Sequence, residues 1–325
     1  MTYDLTTIGE GQIRLTCERG DRLATARSLR MTAAGSEANV AGLLAELGRS
    51  TAWTTKLPRG ELADRIALEY SAVGVDMSRI VMADEGRVAL YFLEPGEFPL
   101  PGKVTYDRQY TPFRSIVPEE FDWDALLDTR VVFLTGITAA LTPETARVVR
   151  YCADAACERG VDVALDVNFR SLLWDGDQAR TVLEPIARRA AILFCSRSDA
   201  GIVFGIDGEG VTVCRALREE MGAPTVVSTD GRAGDLPVHR EEGSCLRDQV
   251  GSGHRPSRRR RLLRVRHPAR VARRRRRAWH RDGHQGGSAR TDPPRRPHAR
   301  AARRAPVPRQ LGHRPVTTST PIDSQ

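Results

Sequence analysis

Apolar and polar positions alternate in blocks along the first 253 residues. DLTTIGEG, at the start, reads as a short strand running into a glycine turn. QIRLTC, RVALYFLE and VTYDRQY are β-rich or alternate in polarity, and they predict strands. SEANVAGLLAELG has helical spacing and stops at Gly48, a residue suited to close a helix. VVFLTGI (131–137) is an unbroken apolar run, the pattern of a buried strand, and VDVALDVN (161–168) is another. Between them, TPETARVVRYCADAACERG predicts an amphipathic helix begun by Thr142 and closed by Gly160. The series continues as helix (DQARTVLEPIARRA), strand (AAILFCS), helix (VTVCRALREEMG) and strand (PTVVSTDG).

Strands alternating with helices of this length predict an α/β fold, a mostly parallel sheet sandwiched by helices. Ligands of such sheets bind beyond the carboxyl ends of the strands. The polar clusters GEG, DVNFR, SRSDA and TDGRAG fall at those ends. The strands near 11–17, 87–93 and 104–110 do not fit that sheet and predict a small separate β layer.

The alternation stops after Gly253. Residues 254–325 hold scattered Pro, blocks of Arg and one aromatic, Trp279. Such a segment buries too little apolar surface to offset its ordering entropy, so it is predicted to be a disordered Arg-rich tail. Charge divides at the same point. Twenty-two Arg against three Asp give the tail +19, which leaves −10 on residues 1–253 for the chain's net +9. A tail of that charge binds nucleic acid nonspecifically through phosphates, with no helical face or interleaved aromatics to read sequence. The whole chain has two lysines, Lys56 and Lys103, which points to a GC-rich gene. Such a gene read out of frame yields mostly Arg, Pro, Ala, Gly and His, the composition of 254–325, and we read the tail as out of frame.

The first residues lack the basic and apolar regions of a secretory leader, and no apolar run approaches ~18 residues. A cytoplasmic location without a membrane span is expected. The six cysteines show no metal-type spacing and read as reduced thiols.

AAGSEANVAGLLAELG (33–48), DVNFRSLLW (166–174), SRSDAGIVFG (196–205), TDGRAG (229–234) and VGSG (250–253) occur in the order and near the spacings of the ribokinase-like (PfkB) carbohydrate kinases. Over residues 3–253 the chain most resembles the 2-keto-3-deoxygluconate kinase subgroup. The resemblance implies a ribokinase-like kinase domain over 1–253, incomplete at its C-terminus, with the small β layer as a lid. It also implies ATP, Mg²⁺ and a homodimer formed through the lid. The substrate would be 2-keto-3-deoxygluconate or a similar acid sugar, phosphorylated in line on a primary hydroxyl.

Each motif also has a physical reading of its own. Gly35 and Asn39 lie at a loop-to-helix junction, where backbone approaches a sugar hydroxyl and free N–H groups are presented. The plainer reading is a helix start. Tyr91, Tyr106 and Arg108 lie on the β layer, where the resemblance places them against the acid sugar; an Arg fork matches two carboxylate oxygens. Without the resemblance they are strand aromatics and a surface Arg. Asp166, Asn168 and Arg170 follow a buried strand, either as a βα-turn cap or as a polar trio facing the crevice. Here the resemblance places Asn168 and Arg170 toward substrate and Asp166 near the metal.

Ser196 and Asp199 stand where the family has Asn-x-x-Glu, the motif for Mg²⁺ and phosphate. Asp199 suits a metal-bound water, because hard cations take oxygen ligands. Thr229, Gly231 and Gly234 resemble the nucleotide-phosphate segment and, alone, could be any hairpin turn. Gly251, Ser252 and Gly253 resemble the anion hole that opens the catalytic helix, or are a chance match, since only residues 235–250 separate them from Gly234. The family's base is the Asp that follows; here His254 stands in its place, and no catalytic residue is intact. A non-catalytic sugar-binding remnant and a nonspecific nucleic-acid binder stand beside the kinase reading.

Overall fold

The computed structural model describes residues 1–229 and the strand Asp235–Val238. The chain divides into Met1–His254 and Arg255–Gln325, and the second unit lies outside the described residues.

The first unit is built on a seven-stranded sheet. Its strands, and those of the smaller sheets, are β1 (Tyr3–Ile8), β2 (Gln12–Thr16), β3 (Arg30–Ala34), β4 (Thr51–Thr54), β5 (Lys56–Pro58), β6 (Val81–Ala83), β7 (Ala89–Glu94), β8 (Lys103–Asp107), β9 (Thr129–Thr135), β10 (Asp162–Asp166), β11 (Ile192–Phe194), β12 (Thr225–Thr229) and β13 (Asp235–Val238). The helices are α1 (Ser36–Glu46), α2 (Glu61–Ala72), α3 (Trp123–Leu126), α4 (Gly136–Ala139), α5 (Pro143–Glu158), α6 (Gly176–Ala187), α7 (Arg197–Asp199) and α8 (Val211–Met221). Strand order in the main sheet is β13-β12-β11-β10-β9-β1-β4, parallel throughout except for β13.

The apolar runs of the sequence become strands buried on both faces. Val132, Leu134, Val163, Leu165 and Leu193 point to one side and pack on α5, α6 and α8. Phe133 and Ala164 point to the other side, where they join Leu5, Trp53, Ile66 and the α1 alanines. Each fully buried Leu, Ile or Val adds ~1.5–3 kcal/mol, so this alternation sets the register. The second face also carries a groove of about 590 Å³, lined in part by Leu5, Val40, Val131, Phe133, Ile192 and Phe194.

Helix ends follow the sequence signals. The Thr142 hydroxyl accepts the Thr145 N–H at the start of α5, with Pro143 in the first turn. Gly160 closes α5 at φ +69°, and Gly48 follows α1 at φ +81°.

The small β layer is a four-stranded sheet in the order β3-β2-β7-β8. The sequence predicts three of its strands; β3, in RMTAA, carries too weak an alternation to register. It likewise leaves α2 and β4 unassigned. Across this sheet Thr32, Arg14, Tyr91 and Tyr106 fall in one register row. Strand β8 is one of its two edges, and all five residues of that strand are exposed.

Candidate active site

A cavity of about 1030 Å³ opens between β8 and the carboxyl ends of β9, β10 and β11. Tyr106, Arg108, Arg114, Phe169, Arg170 and Asp199 line it. This is the crevice side of the parallel sheet, as the topology demands.

Its floor is held by Glu10, which leaves β1 in the GEG turn. Glu10 is buried, and its Oε2 accepts Arg108 Nε at 2.9 Å and Nη2 at 2.5 Å. Its Oε1 accepts the Thr111 hydroxyl at 2.6 Å. The guanidinium of Arg108 lies 5.6 Å from the Tyr106 ring centroid, within cation–π range. Tyr91 stacks beside Tyr106 with ring centroids 5.7 Å apart. Burial raises the Tyr91 hydroxyl above the ordinary tyrosine pKa, opposed by Arg14.

The DVNFR turn forms the second wall. Asn168 sits at φ +39°, a left-handed conformation that Asn tolerates better than most residues. Its N–H donates to Asp166 Oδ1 at 3.1 Å, and its side-chain amide donates to the Ser36 hydroxyl at 3.1 Å. Asp199 Oδ2 accepts the Phe169 N–H at 3.3 Å. The turn is therefore tied to both α1 and α7. Burial, reinforced by the nearby Asp199, pushes Asp166 up to about 6; burial also raises Asp199, and the Arg170 charge opposes both shifts. Arg170 itself is exposed at the cavity edge, with Nη1 donating to the Phe169 carbonyl at 2.9 Å.

A second recess of about 730 Å³ adjoins the first, sharing Ser198 and Ile202 with it. It brings Ser196 and Thr229 together at the ends of β11 and β12, with Gly208 opposite. The Ser196 hydroxyl accepts the Asp199 N–H at 3.0 Å, so it caps α7. A single π-helical turn, Ala200–Phe204, follows.

Among the described residues no group of three or more His, Cys, Asp or Glu is placed to hold a metal ion. Among the described residues, Asp166 and Asp199 are the carboxylates at the DVNFR turn. That donor set still fits Mg²⁺, which keeps several waters and is held by one or two carboxylates plus substrate phosphates.

Asn39 stands apart from the site. It is exposed, and its Oδ1 accepts the Tyr70 hydroxyl at 2.8 Å, so it bridges α1 to α2 outside the crevice. The 3.6-residue period decides this: with Glu37, Ala38 and Ala41 turned inward, position 39 faces away. Gly35 is buried at the start of α1, where a Cβ would meet the Glu10 carbonyl at 3.2 Å. Gly231, Gly234, Gly251, Ser252, Gly253 and His254 lie outside the described residues.

Three site residues escaped the sequence analysis. Glu10 was visible only as a charge straight after a buried strand. Glu37 lies in a helical motif, yet it is buried and accepts the hydroxyls of Thr135 and Thr138. Arg114 sits in a single 3₁₀ turn, Pro112–Ser115, too short to show a period.

Residues 3–249 match the family model described as pfkB family carbohydrate kinase. The chain is 35% identical over 239 residues to a 2-dehydro-3-deoxygalactonokinase of Haloferax volcanii, covering 74% of this chain and 75% of that protein. It is 27% identical over 251 residues to a 2-dehydro-3-deoxygluconokinase of Thermoproteus tenax, covering 76% and 74%. The crystal structure of 2-dehydro-3-deoxygluconokinase from Thermotoga maritima superposes with a TM-score of 0.70 at 29% identity, over 75% of this chain and 78% of that one. The crevice beyond the parallel strands, the small sheet above it and these likenesses agree: the chain belongs to the pfkB family of carbohydrate kinases, a family of phosphotransferases.

Proposed function

We propose that this chain binds 2-keto-3-deoxygluconate or a similar acid sugar under the small sheet, and that its transfer of phosphate from ATP is impaired. One observation carries the substrate reading: the cavity is lined by Tyr106 and by three arginines, 108, 114 and 170. A cavity so lined selects an anionic, hydroxyl-bearing ligand. The similarity to a 2-dehydro-3-deoxygalactonokinase and a 2-dehydro-3-deoxygluconokinase supports it.

ATP belongs in the recess of Ser196 and Thr229, with its γ-phosphate toward the sugar cavity. Mg²⁺ would neutralise charge on the phosphates and be held through water by Asp199 and Asp166. The impairment rests on the sequence: His254 stands where the family places an Asp base, and an Arg-rich segment follows where a helix is expected. A neutral imidazole lacks the carboxylate's charge for accepting the hydroxyl proton. The exposed edge strand β8 supports the accompanying expectation of a dimer formed through the small sheet.

Calorimetry with 2-keto-3-deoxygluconate, followed by a coupled ATP assay, tests both parts. Saturable binding with turnover well below the ~1–100 s⁻¹ usual for kinases is expected. No binding sinks the substrate reading, and ordinary turnover sinks the impairment. Resequencing the gene across codons 230 to 270 is expected to find one base whose gain or loss restores Gly-x-Gly-Asp. An unchanged reading frame refutes the out-of-frame tail.

A further inference from the structure

A parallel sheet is covered by helices on both faces. Here the second face is covered only in part. Leu193 of β11 points to the first face and is fully buried. Its neighbours Ile192 and Phe194 point to the second face and are only partly buried. From that side α1 packs on β4, β1 and β9. Between α1 and β11 runs the groove of about 590 Å³, with Val40, Leu43 and Leu44 on one wall and Ile192 and Phe194 on the other. Leu43 is 59% exposed, and it belongs to a continuous apolar surface, not to a scatter of single exposed leucines. The sequence of 254–325 holds no sustained apolar period that would fill this groove.

The two ends of the groove differ in charge. At the crevice end stands Asp166, the last residue of β10. With Asp199 and Arg170 acting on it, that end carries a net negative charge. At the other end stand Arg49, Arg130 and Asp4. Asp4 pairs with Arg130 at 3.4 Å and accepts the Ser50 N–H at 3.1 Å, so the positive charge of Arg49 is left over. The ends are separated by the length of β10, whose five residues span about 17 Å, or about 11 residues of α-helix. A helix carries partial positive charge at its N-terminus and partial negative charge at its C-terminus. Laid along the groove with its N-terminus at Asp166, it meets opposite charge at both ends. Laid the other way, it meets like charge at both.

We propose that this groove is a docking site for one amphipathic α-helix of another polypeptide, its apolar stripe on Leu43, Ile192 and Phe194 and its N-terminus at Asp166. The inference stands apart from the acid-sugar reading, since it needs neither sugar nor phosphate transfer.

A dye-labelled, end-capped peptide of ~14 residues, titrated into the full chain, tests it. The peptide has Leu at i, i+3, i+4 and i+7 and no net charge, and a scrambled peptide of the same composition lacks the stripe. One striped peptide per chain should bind saturably and raise the Tm, and the scrambled peptide should do neither. Leu43→Glu, at an exposed position that the fold tolerates, should weaken binding at least about tenfold. Leu68→Glu, on the exposed face of α2 and away from the groove, should leave it unchanged. A spin label on the peptide N-terminus should broaden the amide signal of Asp166, and one on its C-terminus that of Arg49. Four results each overturn the proposal: no saturable binding, equal binding of the scrambled peptide, full affinity in Leu43→Glu, or the reversed label pattern. Self-association that Leu43→Glu abolishes and the peptide does not compete with overturns it too, and assigns the groove to a second copy of the chain.

Discussion

Gly136 begins α4 directly under the carbonyl of Val167, so close that a Cβ on Gly136 would lie 2.0 Å from that oxygen. Leu183 of α6 closes the same space, with its Cδ1 2.9 Å from the same point. The ends of β9 and β10 are thus packed backbone against backbone at the cavity wall. Gly136→Ala should cost at least ~3 kcal/mol, because the blocking atom is main chain and cannot swing aside. A thermal melt should show a fall of roughly 6–12 °C in Tm. A loss near the ~1 kcal/mol of an ordinary glycine replacement would mean that the two strand ends move apart easily.

Glu10 and Arg108 form the second fixed point. Glu10→Ala leaves Arg108 buried without its counter-charge and should cost ~3–5 kcal/mol in denaturant unfolding. Adding Arg108→Met should recover part of that loss, because the stranded charge is gone. Additive losses would show that the pair does not act as a unit.

Glu37 tests how a buried carboxyl is satisfied. Burial raises its pKa, and the hydroxyls of Thr135 and Thr138 donate to its Oε1. Glu37→Gln keeps an acceptor and should change stability by no more than ~1 kcal/mol. Glu37→Ala opens a void and leaves both hydroxyls unpaired, at ~2–5 kcal/mol. Equal effects in unfolding titrations would place the value of Glu37 in the carboxyl group itself, since Gln keeps both the volume and an acceptor.

Asp166 should make stability pH-dependent. Its folded pKa of about 6 lies above the ordinary carboxylate value of 3.8. The folded state therefore favours the protonated form. This contribution is fully present below about pH 4 and is lost as pH rises through about 6. The span is worth at most ~3 kcal/mol. Asp166→Asn keeps the acceptor for the Asn168 N–H and removes the titration. The variant should be the more stable protein at pH 7.5, with an advantage that shrinks as the pH falls through 6. A pH-independent difference would refute the assignment.

The tail predicts a salt-dependent liability. With +19 on residues 254–325, the full chain should bind duplex DNA of any sequence at low salt and release it steeply as salt rises. Protein ending at residue 253 should lose this binding. Sequence preference that persists at high salt would indicate a selected interaction instead.

The order of strands and helices was legible because it is written in local terms. Buried strands need unbroken apolar runs, and helices need a 3.6-residue period with caps such as Thr142 and Gly160. The positions of DVNFR and SRSDA followed, because polar clusters at the carboxyl ends of parallel strands must face the crevice. The facing of Asn39 was not legible: a motif places a residue on a helix but does not say which stripe is turned inward. Nor were β3 and α2, whose patterns mix exposed and buried positions too evenly to stand out.

The charge balance of the cavity was decided only in three dimensions. Glu10, Arg108 and Arg114 come from a strand end, a sheet edge and a 3₁₀ turn, as far as 104 residues apart in sequence. Sequence shows three ionisable groups; folding decides that Glu10 pairs directly with Arg108 and acts on Arg114 only at longer range. Local pattern determines which elements form, since each is settled within a few residues. The pairing of buried charges depends on distance and burial, which exist only after the elements have packed.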